Sequence, residues 1–213
     1  MQGRKFFDAM GGIWCVNIGY GRAEMAEAIA DQIKQLSYGS TFWDKTTIPA
    51  AQLADKLAQL APAQLNHVVF AQGGSTGVDT AIRLAHYYFQ RLGQHSKKKI
   101  IAFGDAYHGG TLLASTLTGY EHNRTAFHVI DDLVDHIPTP NAYRRADGLS
   151  DLDFREACVA ELEHKIVELG PENVACCIME PILGTARLRG TTARLPPAGG
   201  PGMRPVRRAL HRG

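Results

Sequence analysis

The chain has 213 residues, 45% of them hydrophobic and 21% charged, and a net charge of +2. That is material for one large domain with a real core, or for one and a half ordinary ones. No apolar run approaches the ~20 residues of a membrane span, and no signal-peptide stretch follows Met1-Gln2-Gly3-Arg4-Lys5, so no membrane partner and a cytoplasmic location are expected.

In chain order, Gly11 to Gly21 reads as a short strand between glycine turns, with Trp14 in it either a core aromatic or a pocket wall. Met25, Ile29, Ile33 and Leu36 keep helical spacing and predict an amphipathic helix over 22–36. Leu53, Leu57 and Leu60, behind Pro49 in a first turn, predict a second over 49–60. Ser37 to Asp44 between them is dense in aromatic and hydroxyl side chains, which suits a pocket lining or plain packing under a loop.

His67 to Ala71 is an apolar run with β-branched residues, followed by Gln72-Gly73-Gly74-Ser75-Thr76-Gly77 and by apolar residues at helical spacing from Val78 to Leu92. This predicts buried strand, glycine turn and helix. Such a turn can aim backbone N–H groups and the positive end of the helix dipole at one point, which suits a phosphate, with Ser75 and Thr76 adding hydroxyl donors. The turn lacks both the Lys-Ser/Thr ending of a P-loop and the G-x-G-x-x-G spacing of a dinucleotide site. A turn that only lets a helix pack closely on its strand stays open as the alternative.

Lys97-Lys98-Lys99 reads as a solvated helix exit, and Ile100 to Phe103 as a second buried strand that ends in Gly104-Asp105-Ala106-Tyr107-His108-Gly109-Gly110. A short helix starts near Thr111. His128-Val129-Ile130 is a third apolar run, and Asp131 to Leu149 a polar, proline-bearing loop. Phe154, Cys158, Leu162, Ile166 and Leu169 mark another helix, with Glu161 and Lys165 at i, i+4, and Val174 to Met179 is a fourth strand closing in Glu180-Pro181. Cys176 and Cys177 sit in that apolar run as small buried hydrophobes; with Cys15 and Cys158 they form no C-x-x-C, and the nine His lack paired spacing. No disulfide framework and no metal site are expected.

Strands alternating with helices indicate an α/β fold with a parallel sheet covered on both faces. Ligands of such sheets sit beyond the carboxyl ends of the strands, where the loops carrying Gly74-Ser75-Thr76, Tyr107-His108-Gly109 and Glu180-Pro181 can converge. A phosphate cup, an aromatic ring with a neighbouring imidazole, and a carboxylate suit a flat phosphorylated heteroaromatic. Pyridoxal phosphate fits that description.

Gly-Gly-Ser-Thr-Gly-Val-Asp-Thr-Ala-Ile-Arg at 73–83, Ala-Tyr-His-Gly-Gly-Thr at 106–111, Gly-Ile-Trp-Cys-Val-Asn-Ile-Gly-Tyr-Gly at 12–21 and Met-Glu-Pro-Ile-Leu-Gly at 179–184 resemble the class III aminotransferases. The resemblance is specifically to the branch that moves amino groups from ω-amino acids or amines to pyruvate, and it runs from residue 5 to 184. The resemblance implies a fold-type I large domain, incomplete here, with pyridoxal 5′-phosphate as cofactor and a homodimer with sites at its interface. It implies Gly74 and Ser75 at the cofactor phosphate, with Thr76 where the family often has Glu. It also implies Tyr107 stacked on the pyridine ring, His108 beside it, Glu180 in the polar shell, and Trp14 walling the substrate pocket. Asp79 and Arg83 match the family too, and are read as packing and helix-face ion-pair residues. Three segments are expected: 1–60 with a short strand and two helices, 61–184 as a partial cofactor-binding domain, and 185–213 as an aberrant, disordered tail.

Transamination needs a lysine for the Schiff base and a carboxylate at the pyridine nitrogen. Neither is recognised here: the eight lysines (Lys5, Lys34, Lys45, Lys56, Lys97, Lys98, Lys99, Lys165) do not match the family's position, so no catalytic residue is assigned. The chain by itself is expected to be inactive, binding phosphate or cofactor weakly at most; an aminomutase or a decarboxylating member of the family is a smaller rival. Residues 185–213 hold seven Arg and no acid, leaving 16 basic against 21 acidic residues before them. That tail reads as a frame-shifted product after Gly184, with a basic nucleic-acid-binding arm as the rival. No nucleic-acid partner is expected for the acidic body.

Overall fold

A computed structural model describes residues 3, 5–62, 64–144, 147–185 and 189–190. They fall in two compact units, Met1–Val69 and Phe70–Gly213. Among the described residues no helix is long and apolar enough to cross a membrane.

The first unit holds a single turn at Gly11–Trp14 (α1) and the two anticipated helices, Ala23–Leu36 (α2) and Ile48–Leu60 (α3), with Pro49 in the first turn of α3. The strand expected between Gly11 and Gly21 is not formed. Gly12, Ile13 and Trp14 take left-handed φ values of 64°, 57° and 61°, which costs an L-residue ~1–2 kcal/mol and is easy for glycine. The side chain of Asp8 answers the backbone in place of a ladder. Its carboxylate accepts the Gly12 N–H at 2.8 Å, the Met10 N–H at 3.2 Å and the Tyr20 hydroxyl at 2.9 Å. The Tyr20 hydroxyl first, then the Gly12 N–H, hold the Asp8 carboxyl below its ordinary range. The apolar stripe of α2, from Met25 to Leu36, stays exposed, and neither helix buries a residue.

The second unit is built on a parallel sheet of Lys99–Phe103 (β1), Val134–Ile137 (β2) and Val174–Ile178 (β3), in the order β2-β1-β3. Ile100 stands opposite Val134 and Cys176, and Ala102 opposite Ile178. Alternation along β1 sends side chains to two faces. On one face Ile101 and Phe103 pack with Leu162 and Ile166 of the helix Asp151–Leu169 (α7). On the other, Ile100 packs with Ile82 of Gly74–Arg91 (α4) and Leu117 of Leu112–Leu117 (α5). The short helix Glu121–Ala126 (α6) follows α5. Helices therefore cover both faces, as strand–helix alternation requires. Caps fix two of the helices: the hydroxyls of Thr111 and Ser150 accept the N–H groups of Ala114 and Asp153 at the starts of α5 and α7.

Several expectations are corrected. His67 to Ala71 forms no strand; the run makes no ladder, and Val69 and Phe70 are exposed. His128 to Ile130 forms none either; the strand is Val134–Ile137, placed by sequence inside a polar loop. Its Asp135 and His136 are accommodated at a sheet edge, Asp135 by Lys99 at 3.5 Å and His136 by the Leu117 carbonyl at 3.1 Å. Lys97 is buried rather than solvated. Its ammonium lies over the Phe89 ring, 5.0 Å from the centroid, and donates to the carbonyls of Pro171 at 2.6 Å and Val174 at 3.3 Å. Lys165 pairs with Glu168 at i, i+3 rather than with Glu161. Cys177 is exposed on the edge strand β3, and no disulfide joins any of the four cysteines among the described residues.

Of the tail, residues 186–188 and 191–213 lie outside the described residues. The backbone of Arg189–Gly190 (β5) pairs antiparallel with Ile182–Leu183 (β4), so regular structure continues past Gly184.

Ile101 is fully buried between β1 and α7, so Ile101→Ala should lower the unfolding free energy by about 2–5 kcal/mol. Ile29→Ala, on the exposed stripe of α2, should shift it by roughly 0.5 kcal/mol or less. Urea denaturation of the two variants checks both.

Candidate functional site

The loops after β1 and β3 leave the carboxyl edge of the sheet, and the first turn of α4 meets them there through hydrogen bonds rather than by following a strand. The N–H of Gly110 donates to the Ser75 hydroxyl oxygen at 3.0 Å, and the N–H of Tyr107 donates to Glu180 Oε2 at 3.1 Å. Two bonds thus join three segments into one rim. The loop after β2 adds a further tie, the Thr139 hydroxyl accepting the Asp105 N–H at 2.9 Å.

Glycine makes the approach possible. Gly109 has φ 134°, and a Cβ there would run into the Ser75 hydroxyl and stand 2.8 Å from Ser75 Cβ and 2.9 Å from Ala114 Cβ. No side chain fits between the loop and α4. The first intrahelical bond of α4 runs from Gly77 N to Gly73 O, so the N–H groups of Gly74, Ser75 and Thr76 head the helix without helical acceptors. Together with the positive end of an 18-residue helix they suit an anion. Because Ser75 Oγ accepts from Gly110, its own proton is directed elsewhere.

Thr76 contributes differently from its neighbours. Its hydroxyl donates to the Gly73 carbonyl at 2.9 Å and accepts the Gly73 N–H at 3.0 Å. The hydroxyl closes the helix start, which leaves only the Thr76 backbone N–H facing outward. Tyr107 keeps 37% of its surface exposed, enough for a ring face to receive a planar ligand. Glu180 orients the Tyr107 backbone. His108 is buried; its backbone N–H donates to the Thr118 hydroxyl at 2.9 Å, and its ring Nε2 has no hydrogen-bond partner among the described residues. Burial first, then the neighbouring His136, push its pKa down to about 4. A neutral imidazole therefore lies beneath the rim at neutral pH. Trp14 belongs to the first unit, half-exposed on its left-handed turn.

The donor set fits the phosphate and ring of pyridoxal phosphate: three convergent N–H groups, a directed hydroxyl, a close-approach glycine and an exposed phenol face. Asp79 is the residue sequence reading undervalued. Its carboxylate accepts the Thr111 hydroxyl at 2.8 Å and the Ala114 N–H at 3.1 Å. The N-cap pattern of Thr111 ahead of an apolar run was the legible half of that signal. Among the described residues no group of three or more His, Cys, Asp or Glu side chains is placed to hold a metal.

Residues 1–192 match the family Aminotransferase class-III. The diaminobutyrate–2-oxoglutarate transaminase of Halomonas elongata is 36% identical over 187 residues, and the putrescine–pyruvate aminotransferase of Pseudomonas aeruginosa 37% identical over 185. Each alignment covers 86% of this chain and 40% of the relative, so the chain spans about two fifths of their length. An (S)-enantioselective ω-transaminase from Thermomicrobium roseum superposes with a TM-score of 0.85 at 34% identity, over 96% of this chain and 45% of that one. The ω-transaminase of Pseudomonas jessenii in complex with PMP gives 0.83 at 32% identity, over 89% and 42%.

Stability should fall with pH on the acid side of neutrality. His108 is neutral in the fold but titrates near 6.5 when unfolded, so the unfolded chain binds the proton first as pH drops from 6.5 towards 4. The loss is of order 3 kcal/mol across that window. Thermal midpoints measured from pH 7 to pH 4 should fall steeply for the native chain and less steeply for His108→Gln.

Proposed function

Because the chain belongs to the class III aminotransferases, we propose that it represents a pyridoxal-phosphate-dependent aminotransferase. The reaction is transfer of an amino group from an ω-amino acid or amine to an oxo acid such as pyruvate. The observation that carries this reading is the hydrogen-bonded rim in which Ser75, Gly110, Tyr107 and Glu180 tie the start of α4 to the loops after β1 and β3.

The N–H groups of Gly74, Ser75 and Thr76 and the hydroxyl of Ser75 bind the phosphate. Tyr107 receives the pyridine ring on its exposed face, and Glu180 fixes the Tyr107 backbone beneath it. His108, kept neutral by burial, fills the floor without adding a positive charge under the ring. When bound, the cofactor supplies the aldehyde through which amino groups are exchanged and the ring that draws electrons from the reacting carbon. Trp14 is assigned to the substrate pocket wall. The two relatives act, by name, on diaminobutyrate and putrescine, which supports a donor with an amine at the end of an aliphatic chain.

Within the second unit, Lys97, Lys98 and Lys99 lie at the opposite end of β1 from the rim, and Lys165 is paired on α7. None of these four stands on the rim loops, so none of them is placed to anchor the cofactor. A homodimer is proposed as well, supported by the exposed apolar stripe of α2 in a unit that buries no residue on either long helix. A cytoplasmic location agrees with a composition that offers no membrane span.

Pyridoxamine 5′-phosphate lacks an aldehyde and cannot react with surface lysines, so calorimetry with it reads the cup alone. The 213-residue chain should bind it, show no transamination, and lose roughly tenfold or more in affinity on Ser75→Ala, the value of one hydrogen bond to a charged group. Binding that ignores Ser75→Ala would contradict the reading.

A further inference from the structure

We propose that Asp79 is the positioning residue of the phosphate cup, a clamp that holds the loop 107–111 down on α4 so that Ser75 faces the anion; this rests on the cofactor reading above. Ser75 and Asp79 are one turn apart on the same face of α4, the i, i+4 relation that stacks side chains. Each grips the neighbouring loop at a different point. Ser75 Oγ takes the N–H of Gly110 at 3.0 Å, and the very next residue, Thr111, gives its hydroxyl to Asp79 Oδ1 at 2.8 Å.

The same Asp79 oxygen accepts the Ala114 N–H at 3.1 Å, which places a negative charge at the start of α5. A carboxylate in that position complements the α5 backbone and gives charge-assisted bonds of above-average strength. Thr111 Oγ1 also accepts the Ala114 N–H, at the longer distance of 3.4 Å, so its proton is committed to Asp79 while its oxygen serves the cap. Asp79 is half-buried and reaches no part of the rim itself. Its influence runs through Thr111 to the adjoining Gly110.

The consequence for the cup is directional. Gly109 lies so close to Ser75 that no side chain fits between them, so a small lift of the loop breaks the Gly110–Ser75 bond. Ser75 then regains rotational freedom about χ1, and its proton is no longer biased outward. A packing residue would only stabilise α4 against α5, whereas a clamp changes how well Ser75 presents its donor.

The test uses the 213-residue chain, pyridoxamine 5′-phosphate as the probe and the variants Asp79→Ala, Asp79→Asn, Thr111→Val and Ser75→Ala. Affinity is read by calorimetry and the loop by the exchange rate of the Gly110 amide proton, with circular dichroism as the check on folding. Asp79→Ala should bind roughly tenfold more weakly, as loss of a supporting group costs an ordered site, and should speed Gly110 exchange. Asp79→Asn should recover most of both, since its amide oxygen accepts the same two hydrogens. If Asp79→Ala does not fold, Thr111→Val carries the test, with affinity expected to fall several-fold while the fold persists. A folded Asp79→Ala or Thr111→Val with native affinity and native Gly110 exchange overturns the proposal while Ser75→Ala still weakens binding. If the native chain binds no probe, or Ser75→Ala binds as well as native, the cup reading fails and the clamp fails with it.

Discussion

The hydrogen bond from the Gly110 N–H to the Ser75 hydroxyl is the contact on which the candidate site depends. It joins the head of α4, which supplies outward N–H groups, to the loop that supplies the Tyr107 ring. The bond requires an approach that Gly109 alone permits, since any Cβ there collides with Ser75. One side of it is held by Asp79 through Thr111, the other by Glu180 through the Tyr107 backbone. The sheet explains why these pieces are near one another. Parallel pairing of β1 with β2 and β3 sends every following loop to the same edge, so the chemistry gathers where strands end and not along them.

What the sequence made legible was whatever carried a strong period. The amphipathic helices over 23–36 and 48–60, the strand of Ile100 to Phe103 and the long helix ending at Leu169 all announce themselves by spacing. Illegible segments were those whose structure is decided by partners. Val-Asp-His-Ile becomes a strand because Lys99 and the Leu117 carbonyl accommodate its polar side chains at an edge, and His67 to Ala71 makes no ladder. Lys97 shows the same limit: three consecutive lysines look solvated until Phe89 and two carbonyls are brought to the first of them. At the site, the glycines and Ser75 could be read directly from the turn. The engagement of the Thr76 hydroxyl with Gly73, and the clamp role open to Asp79, needed distances.

The two units differ in how far they complete themselves. The second buries a core on both faces of its sheet. The first leaves Met25, Ile29, Ile33 and Leu36 exposed along one face, and its Trp14 segment is held in a left-handed turn by the Asp8 carboxylate. The chain matches its family over residues 1–192 and spans two fifths of its relatives; the proposed cofactor cup lies in the second unit, and the exposed apolar stripe in the first.

The most direct measurement of the central claim, that the three loops make one phosphate-and-ring site, is an amide-resolved magnetic resonance titration of the chain with pyridoxamine 5′-phosphate. The account predicts saturable shifts at Gly74, Ser75, Thr76, Tyr107 and Gly110, all following one binding curve. Shifts confined to the lysine run at 97–99 or to the arginine-rich residues after 192, with the rim unmoved, would contradict it.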